Sequence, residues 1–444
     1  MCDTFVALSN STKDGSVLFA KNSDRDPNEA HQIIILPAAK HAKGEMVKCT
    51  YIEIPQVEET YQILLSKPFW IWGAEMGSNE YGVTIGNEAI FSREPANKEP
   101  GLIGMDFLRL ALERAKTAFS AMEVIIQLLE QYGQSGNCGY SHPFYYHNSY
   151  LICDSTEAWV LETVGKEWAA EKVKNVRSIS NGLTIGKNWD RASNGLVSHA
   201  LERGWCKNIE DFDFARCYSD PLFTFFADAK KRQNCTGAQL LENSGKITEK
   251  MMMGILRTHK TNQNGKYSPG RGITGAEVCM HAGWGPIRTS QSTGSMVSKI
   301  GKTGVVHWLT GTAAPCISIF KPIWIDSGIP EIVKSPEALF DESVMFWRHE
   351  KLHREILKDY STRIEYLRLE QGRVEDEFLA IVEKNNDSSL EKRKIISQEL
   401  FAKAIETEDT WFEKVKKSPV KNRNGLMYDQ AWKQFNKQVK EIRE

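Results

Sequence analysis

The hydrophobic pattern changes period several times along the chain. Residues 2–8 (Cys-Asp-Thr-Phe-Val-Ala-Leu) and 16–22 are short, largely apolar runs on either side of Lys13-Asp14-Gly15. Asp-Gly tolerates the positive φ of a tight turn, so residues 2–22 read as a β-hairpin. Strand-length runs recur at 31–37, 50–54, 60–66 and 81–90, with Gly77, Gly82 and Gly86 marking tight turns or close backbone approach. Apolar residues then move to helical spacing over 104–116 and 120–132. Strands return at 150–153, 158–162, 168–173 and 176–180. A helix is expected over 248–258, then strands at 276–282, 294–297, 304–309 and 316–320.

Strands, helices, strands, a helix and strands again, without regular βαβ alternation, predict an α+β domain. Two antiparallel sheets would have helices segregated around them. From Ser335 the chain becomes charged and helical. Ser335-Pro336 reads as a helix start, and Leu352, Ile356, Tyr360, Ile364 and Leu367 form an apolar stripe. Asn385–Ser388 interrupts it, Ser388 and Glu391 offer a capping box for a second helix, and 428–443 suggests a third. We therefore expect a core domain over 1–334 and a helical extension over 335–444. The stripe would dock on the core or on a partner, and the extension could mediate a homo-oligomer.

Composition narrows the function classes. The 444 residues carry 56 basic and 57 acidic side chains, a net charge of −1. That balance lacks the basic excess of a nucleic-acid-binding protein. No run approaches the ~20 apolar residues of a membrane span, and the opening residues do not form a secretory signal. Nine scattered cysteines without a CxxC pair argue against a disulfide framework or zinc ribbon. The expectation is a soluble cytoplasmic protein with reduced thiols.

One cysteine stands apart. If Met1 is removed, Cys2 becomes the first residue, and its α-amine can act as base for its own thiol. Their ordinary pKa values, about 7.7–8 and 8.5, allow that transfer near neutrality. Hairpin pairing would bring Lys21, Asn22, Asp24 and Arg25 beside Cys2. There a carboxylate can hold the amine and a cation can favour the thiolate; the same residues also suit a solvated strand end. Asn79 and Asn181 follow strands and can donate to an oxyanion, or serve only as turn asparagines. Arg288 could grip a substrate carboxylate. Cys279 with His281, and His349 with His353, read as packed side chains, so no metal or cofactor is expected. Walker and Rossmann patterns are missing.

Several blocks together resemble the secernins and related cysteine dipeptidases. These are Cys2–Ala7 with Asp14-Gly15 and Phe19–Arg25, Trp72–Val83, Gly86–Ala89, Gly104–Asp106, Ala158–Thr163 and Ser178–Asn181. The resemblance implies an N-terminal nucleophile hydrolase with an αββα sandwich, acting on a small peptide or amide substrate. It implies Cys2 as nucleophile, Asp24 holding the α-amine, and Asn79 and Asn181 orienting the site or forming the oxyanion hole. Lys21 stands where the related acylases carry an arginine, so it keeps the charge without the bidentate fork. The acylases also use a later arginine, for which Arg288 is the candidate. Two other readings stay open: a secernin-like scaffold in exocytosis or protein interaction, and an acylase of non-peptide amides.

Overall fold

The computed structural model describes residues 1–260, 266–270, 276–285, 288–301 and 304–439. Two antiparallel sheets form its centre. The first has six strands in the order Val176–Ile179, Cys2–Ala7, Val17–Arg25, Gln291–Ile300, Val305–Leu309 and Lys321–Ile323. The second has eight, from Arg191–Ala192 through Glu167–Lys172, Ala158–Val164, His147–Cys153, Thr84–Ile90, Met76–Asn79 and Ile63–Pro68 to His31–Leu36. Every strand pairing within both sheets is antiparallel.

The period-two pattern explains the layering. In the first hairpin, Val6, Val17 and Phe19 point between the sheets, where they meet Leu64, Met76, Leu151 and Val160. Phe5, Ala7, Leu18 and Ala20 point the other way into a helical layer. In the second sheet, Leu151 and Val160 face inward, while Tyr150, Ile152, Trp159 and Leu161 face the helices Gly104–Arg114 and Ala118–Tyr132. The result is an αββα sandwich.

The chain after residue 334 is a layer of that sandwich. Its helices Met345–Leu357, Glu365–Asn385, Leu390–Lys417 and Leu426–Gln438 share one apolar core with the first sheet, through Leu352, Ile356, Leu367, Phe378, Trp411 and Trp432. Polar clamps reinforce the contact. Glu375 pairs with Arg257 and accepts from Phe320 N at 3.0 Å, and Gln371 donates to Ser318 O at 2.8 Å. The apolar stripe Leu352, Ile356, Tyr360, Ile364 and Leu367 is thus docked on the core, as one of the two expected placements had it. No helix among the described residues is long and apolar enough to cross a membrane.

Local expectations fail where tertiary contacts replace ladder bonds. Residues 276–282 and 316–320 are irregular rather than strands, and the helix expected from Ser335 begins only at Met345. Ser389, not Ser388, caps the next long helix by accepting from Lys392 N. The end of the expected 428–443 helix, residues 440–443, lies outside the described residues. The pattern also missed the helix Ala229–Glu242, whose apolar face is narrow.

Candidate active site

Register places the nucleophile candidate. Cys2 pairs with Ser23 and Asp3 with Asn22, while Thr4 pairs with Ile179 on the other side. Cys2 thus starts a strand in the interior of the first sheet, with Asp24 and Asn181 just beyond its paired neighbours. The residue is 4 % exposed. Its Sγ accepts from the backbone N–H of Asp24 at 3.3 Å and lies 4.0 Å from Glu75 Oε2. Burial pushes the thiol up to about 12 in the Met1-bearing chain, against an opposing pull from Lys21.

Asn181 holds the other side of Cys2. Its Oδ1 accepts from the Cys2 backbone nitrogen at 2.7 Å and from Arg232 Nη2 at 2.6 Å. Its Nδ2 donates to Ala89 O at 2.8 Å, which engages one of the two amide hydrogens. Arg232 also donates from Nη1 to Cys2 O at 2.8 Å and to Asp3 Oδ2 at 2.6 Å. Asp3 and Arg232 are both buried, at 0 % and 2 % exposure, so each neutralises the other's otherwise costly charge. Arg232 sits on the helix Ala229–Glu242 and was not expected from the sequence. Lys230-Lys231-Arg232 reads as a solvated basic run, and nothing local shows that its third member turns inward.

Asp24 has one satisfied and one orphaned oxygen. Oδ1 accepts from Ser292 Oγ at 2.6 Å, while Oδ2 is buried without a hydrogen-bond partner among the described residues. Burial raises its carboxyl to about 7, opposed by the nearby N-terminus and Arg232. The Met1 ammonium donates to the Asp24 backbone carbonyl at 3.2 Å. A buried acceptor beside an amine is the arrangement needed to hold that amine.

Lys21 lies behind the nucleophile, away from the cavity that Cys2 lines. It is fully buried, and its Nζ pairs with Glu88 Oε1 at 3.2 Å; Glu88 also accepts from Thr4 Oγ1. Burial disfavours the ammonium, but Cys2, Glu88 and Glu75 outweigh it and hold its pKa above the ordinary value. The stem reaches the second sheet by crossing Gly86, where an added Cβ would lie 2.6 Å from Lys21 Cδ.

Two expectations are corrected. Asn79 does not reach the cavity. Its Nδ2 donates to Leu112 O and Ala115 O at 2.9 and 2.7 Å, and its Oδ1 accepts from Tyr81 N and Val83 N. It ties a turn to the end of the helix Gly104–Arg114 and has no donor left for an oxyanion. Arg288 also turns away. Its Nη2 donates to Pro269 O at 2.7 Å, and its guanidinium packs against Gly283, while the following Thr289 and Ser290 line the cavity instead.

The cavity measures about 450 Å³. Cys2, Asp24, Asp26 and Glu75 give its lining polar groups, and Phe91, Phe144 and Phe223, in mutual contact through Phe91, give it with Phe226 an aromatic part. Arg25 anchors the acidic groups: it pairs with Glu29 at 2.6 Å and with Glu75 at 3.2 Å, and donates to Cys138 O at 2.7 Å.

Two stacked antiparallel sheets between helical layers, with a cysteine at the start of a central strand, define the architecture of the N-terminal nucleophile hydrolases. The chain belongs to Peptidase family C69, whose model matches residues 1–224. It is 23 % identical over 274 residues to a probable dipeptidase B of Streptococcus pyogenes serotype M3, covering 56 % of this chain and 51 % of that protein. The chain thus spans about half the length of the curated relatives it matches. Among solved structures, a conjugated bile acid hydrolase from Clostridium perfringens aligns with a TM-score of 0.43 and 14 % identity, covering 73 % of this chain and 92 % of that one. Penicillin V acylase from Agrobacterium tumefaciens aligns at 0.42 and 12 %, covering 73 % and 86 %. Superposition this loose carries no residue correspondence.

Proposed function

We propose that this protein is a cysteine amidohydrolase of the dipeptidase type, acting through Cys2 once Met1 has been removed. The observation that carries this reading is the pairing of Cys2 N with Asn181 Oδ1 at 2.7 Å beside the orphaned Asp24 Oδ2, at the wall of a cavity. With Met1 gone, that nitrogen is the α-amine, held by two acceptors. It takes the thiol proton, and the thiolate attacks the substrate carbonyl. The tetrahedral intermediate collapses as the C–N bond breaks and the ammonium returns its proton to the leaving amine. A thioester on Cys2 remains. Water, deprotonated by the same amine, then attacks the thioester, and the acid leaves as the thiol re-forms. In this reading Asn181, which lines the same cavity, uses the second hydrogen of its Nδ2 to stabilise the developing oxyanion.

The cavity supports a small substrate, since ligand sites commonly enclose about 300–1,000 Å³. Asp26 and Glu75 suit a free ammonium, and the aromatic part suits an apolar side chain. That same aromatic part favours a second reading, hydrolysis of an amide with an apolar acyl group. The test is a panel of dipeptides and N-acyl amino acids, run on protein whose intact mass shows Met1 missing. Cys2→Ala should fold, yet lose both turnover and the covalent acyl adduct. Full activity in chains that keep Met1 would sink the mechanism.

A further inference from the structure

A second dense cluster lies in the helical layer on the outer face of the first sheet, apart from the cavity. There the chain after the helix Glu249–Leu256, the irregular stretch 276–282 and the turn near 316 converge. His259, Cys279, His281 and Cys316 each offer one ligand atom, and all four atoms lie within 4.8 Å of one another. His281 Nε2 is 3.3 Å from Cys316 Sγ and 3.8 Å from Cys279 Sγ. A tetrahedral zinc ion, with bonds of about 2.3 Å to sulfur and 2.0–2.1 Å to nitrogen, spaces its ligand atoms roughly 3.3–3.8 Å apart. Small side-chain adjustments would close the cluster around such an ion.

The surroundings of His281 provide a second, independent sign. Its Nδ1 is 3.3 Å from His353 Nε2, and His353 Nδ1 is 3.1 Å from Glu350 Oε1. Glu350 is an acceptor fixed by Arg354 at 2.7 Å and Gln291 at 3.0 Å. The network therefore assigns the tautomers in sequence. His353 donates from Nδ1 to Glu350 and accepts at Nε2, so His281 donates from Nδ1. The Nε2 lone pair of His281 is left facing the two sulfurs. Such backing from a carboxylate is how metal-binding histidines are oriented. His259 stacks on Tyr267 at 4.0 Å between ring centroids, and its solvent-shielded Nε2 has no hydrogen-bond partner among the described residues.

We propose that His259, Cys279, His281 and Cys316 form a structural zinc site. Two thiolates and two imidazoles in a tetrahedral set match zinc in ligand softness and geometry. The two thiolate charges offset the ion, so a neutral complex is buried, and four protein ligands leave no position for substrate. The sequence separates these residues too widely for a finger-like spacing, and the fold alone unites them.

The site would brace the active centre. Asn22 Nδ2 donates to Val278 O and Leu256 O at 2.7 and 2.9 Å, and Met280 N donates to Ser292 Oγ at 3.0 Å. Ser292 is the residue that donates to Asp24. Zinc would fix His281, which holds this segment to the helix Met345–Leu357 through His353.

The test is metal analysis of the full-length chain, purified without chelator. We expect about one zinc per chain, kept in Cys2→Ala and lost in Cys316→Ser and His281→Ala. Because those variants can misfold, the wild-type protein should also be stripped and titrated with cobalt(II). Visible ligand-field bands and thiolate-to-cobalt charge transfer are expected. Folded, reduced wild-type protein that carries no zinc and gives no charge-transfer band would overturn the proposal. So would a Cys279–Cys316 disulfide in that protein.

Discussion

The side-chain oxygen of Asn181 accepts from the backbone nitrogen of Cys2 at 2.7 Å. This single contact links Cys2 to the turn after the strand Val176–Ile179. Asn181→Ala should lower kcat by about 10²-fold, the scale of losing one positioned polar group at a reacting centre. KM should change less. Asn181→Asp keeps the acceptor and should recover part of the loss. An unchanged kcat in the alanine variant would remove Asn181 from the mechanism.

Arg232 is predicted to matter first for stability. Arg232→Met leaves the fully buried Asp3 without its cation, a change that typically costs about 3–5 kcal/mol. Adding Asp3→Asn removes the stranded charge and should restore much of the loss. Chemical denaturation of the single and double variants measures both.

For Asn79 the expectation is the reverse of a catalytic role. Asn79→Ala leaves four polar groups without this partner, Leu112 O and Ala115 O at the helix end and Tyr81 N and Val83 N in the turn, three of these contacts being buried, and should destabilise by roughly 1–3 kcal/mol. Turnover by the folded fraction should stay near wild type. Reduced kcat with an unchanged melting temperature would return Asn79 to the active site.

At Gly86 the second sheet packs directly on Lys21, Phe19 and Thr4 of the first. Gly86→Ala would place a methyl 2.6 Å from Lys21 Cδ and 2.9 Å from Phe19 Cζ. Overpacking of this kind costs about 1–3 kcal/mol. Thermal unfolding of the variant tests the prediction, and unaltered stability would show that the Lys21 stem can move aside.

Asp24 predicts a pH dependence of stability. Burial raises its carboxyl from 3.8 to about 7 in the Met1-bearing chain. The folded state then binds the proton more tightly than the unfolded state. Its stabilising contribution is complete below about pH 4 and declines as pH rises toward 7, by at most roughly 4 kcal/mol. Asp24→Asn should flatten that decline. Urea midpoints across this range, compared between wild type and variant that both retain Met1, decide the matter; parallel curves would contradict the assignment.

The layers of the fold were largely legible. The apolar runs 2–8 and 16–22 around Asp14-Gly15 specified a hairpin, and helical spacing over 104–116 and 120–132 specified two helices; the structure showed that both hairpin faces are buried and that the helices cover the second sheet. The Cys2–Asp24 neighbourhood was legible too, because an antiparallel hairpin brings its two ends together. Asn79 and Arg288 were misread because an amide or guanidinium looks the same in sequence whether it faces a cavity or backbone carbonyls.

By itself, then, the sequence determined what depends on local period and hairpin register: most of the strands, the α+β class and the placing of Asp24 beside Cys2. Only the tertiary structure decided which distant groups complete the sites. Arg232 reaches Cys2 across 230 positions of chain, and His259, Cys279, His281 and Cys316, far apart in the chain, come together beside Tyr360. Buried charges and ligand atoms are satisfied by whichever partners packing supplies. Those partners carry no periodic signal along the chain.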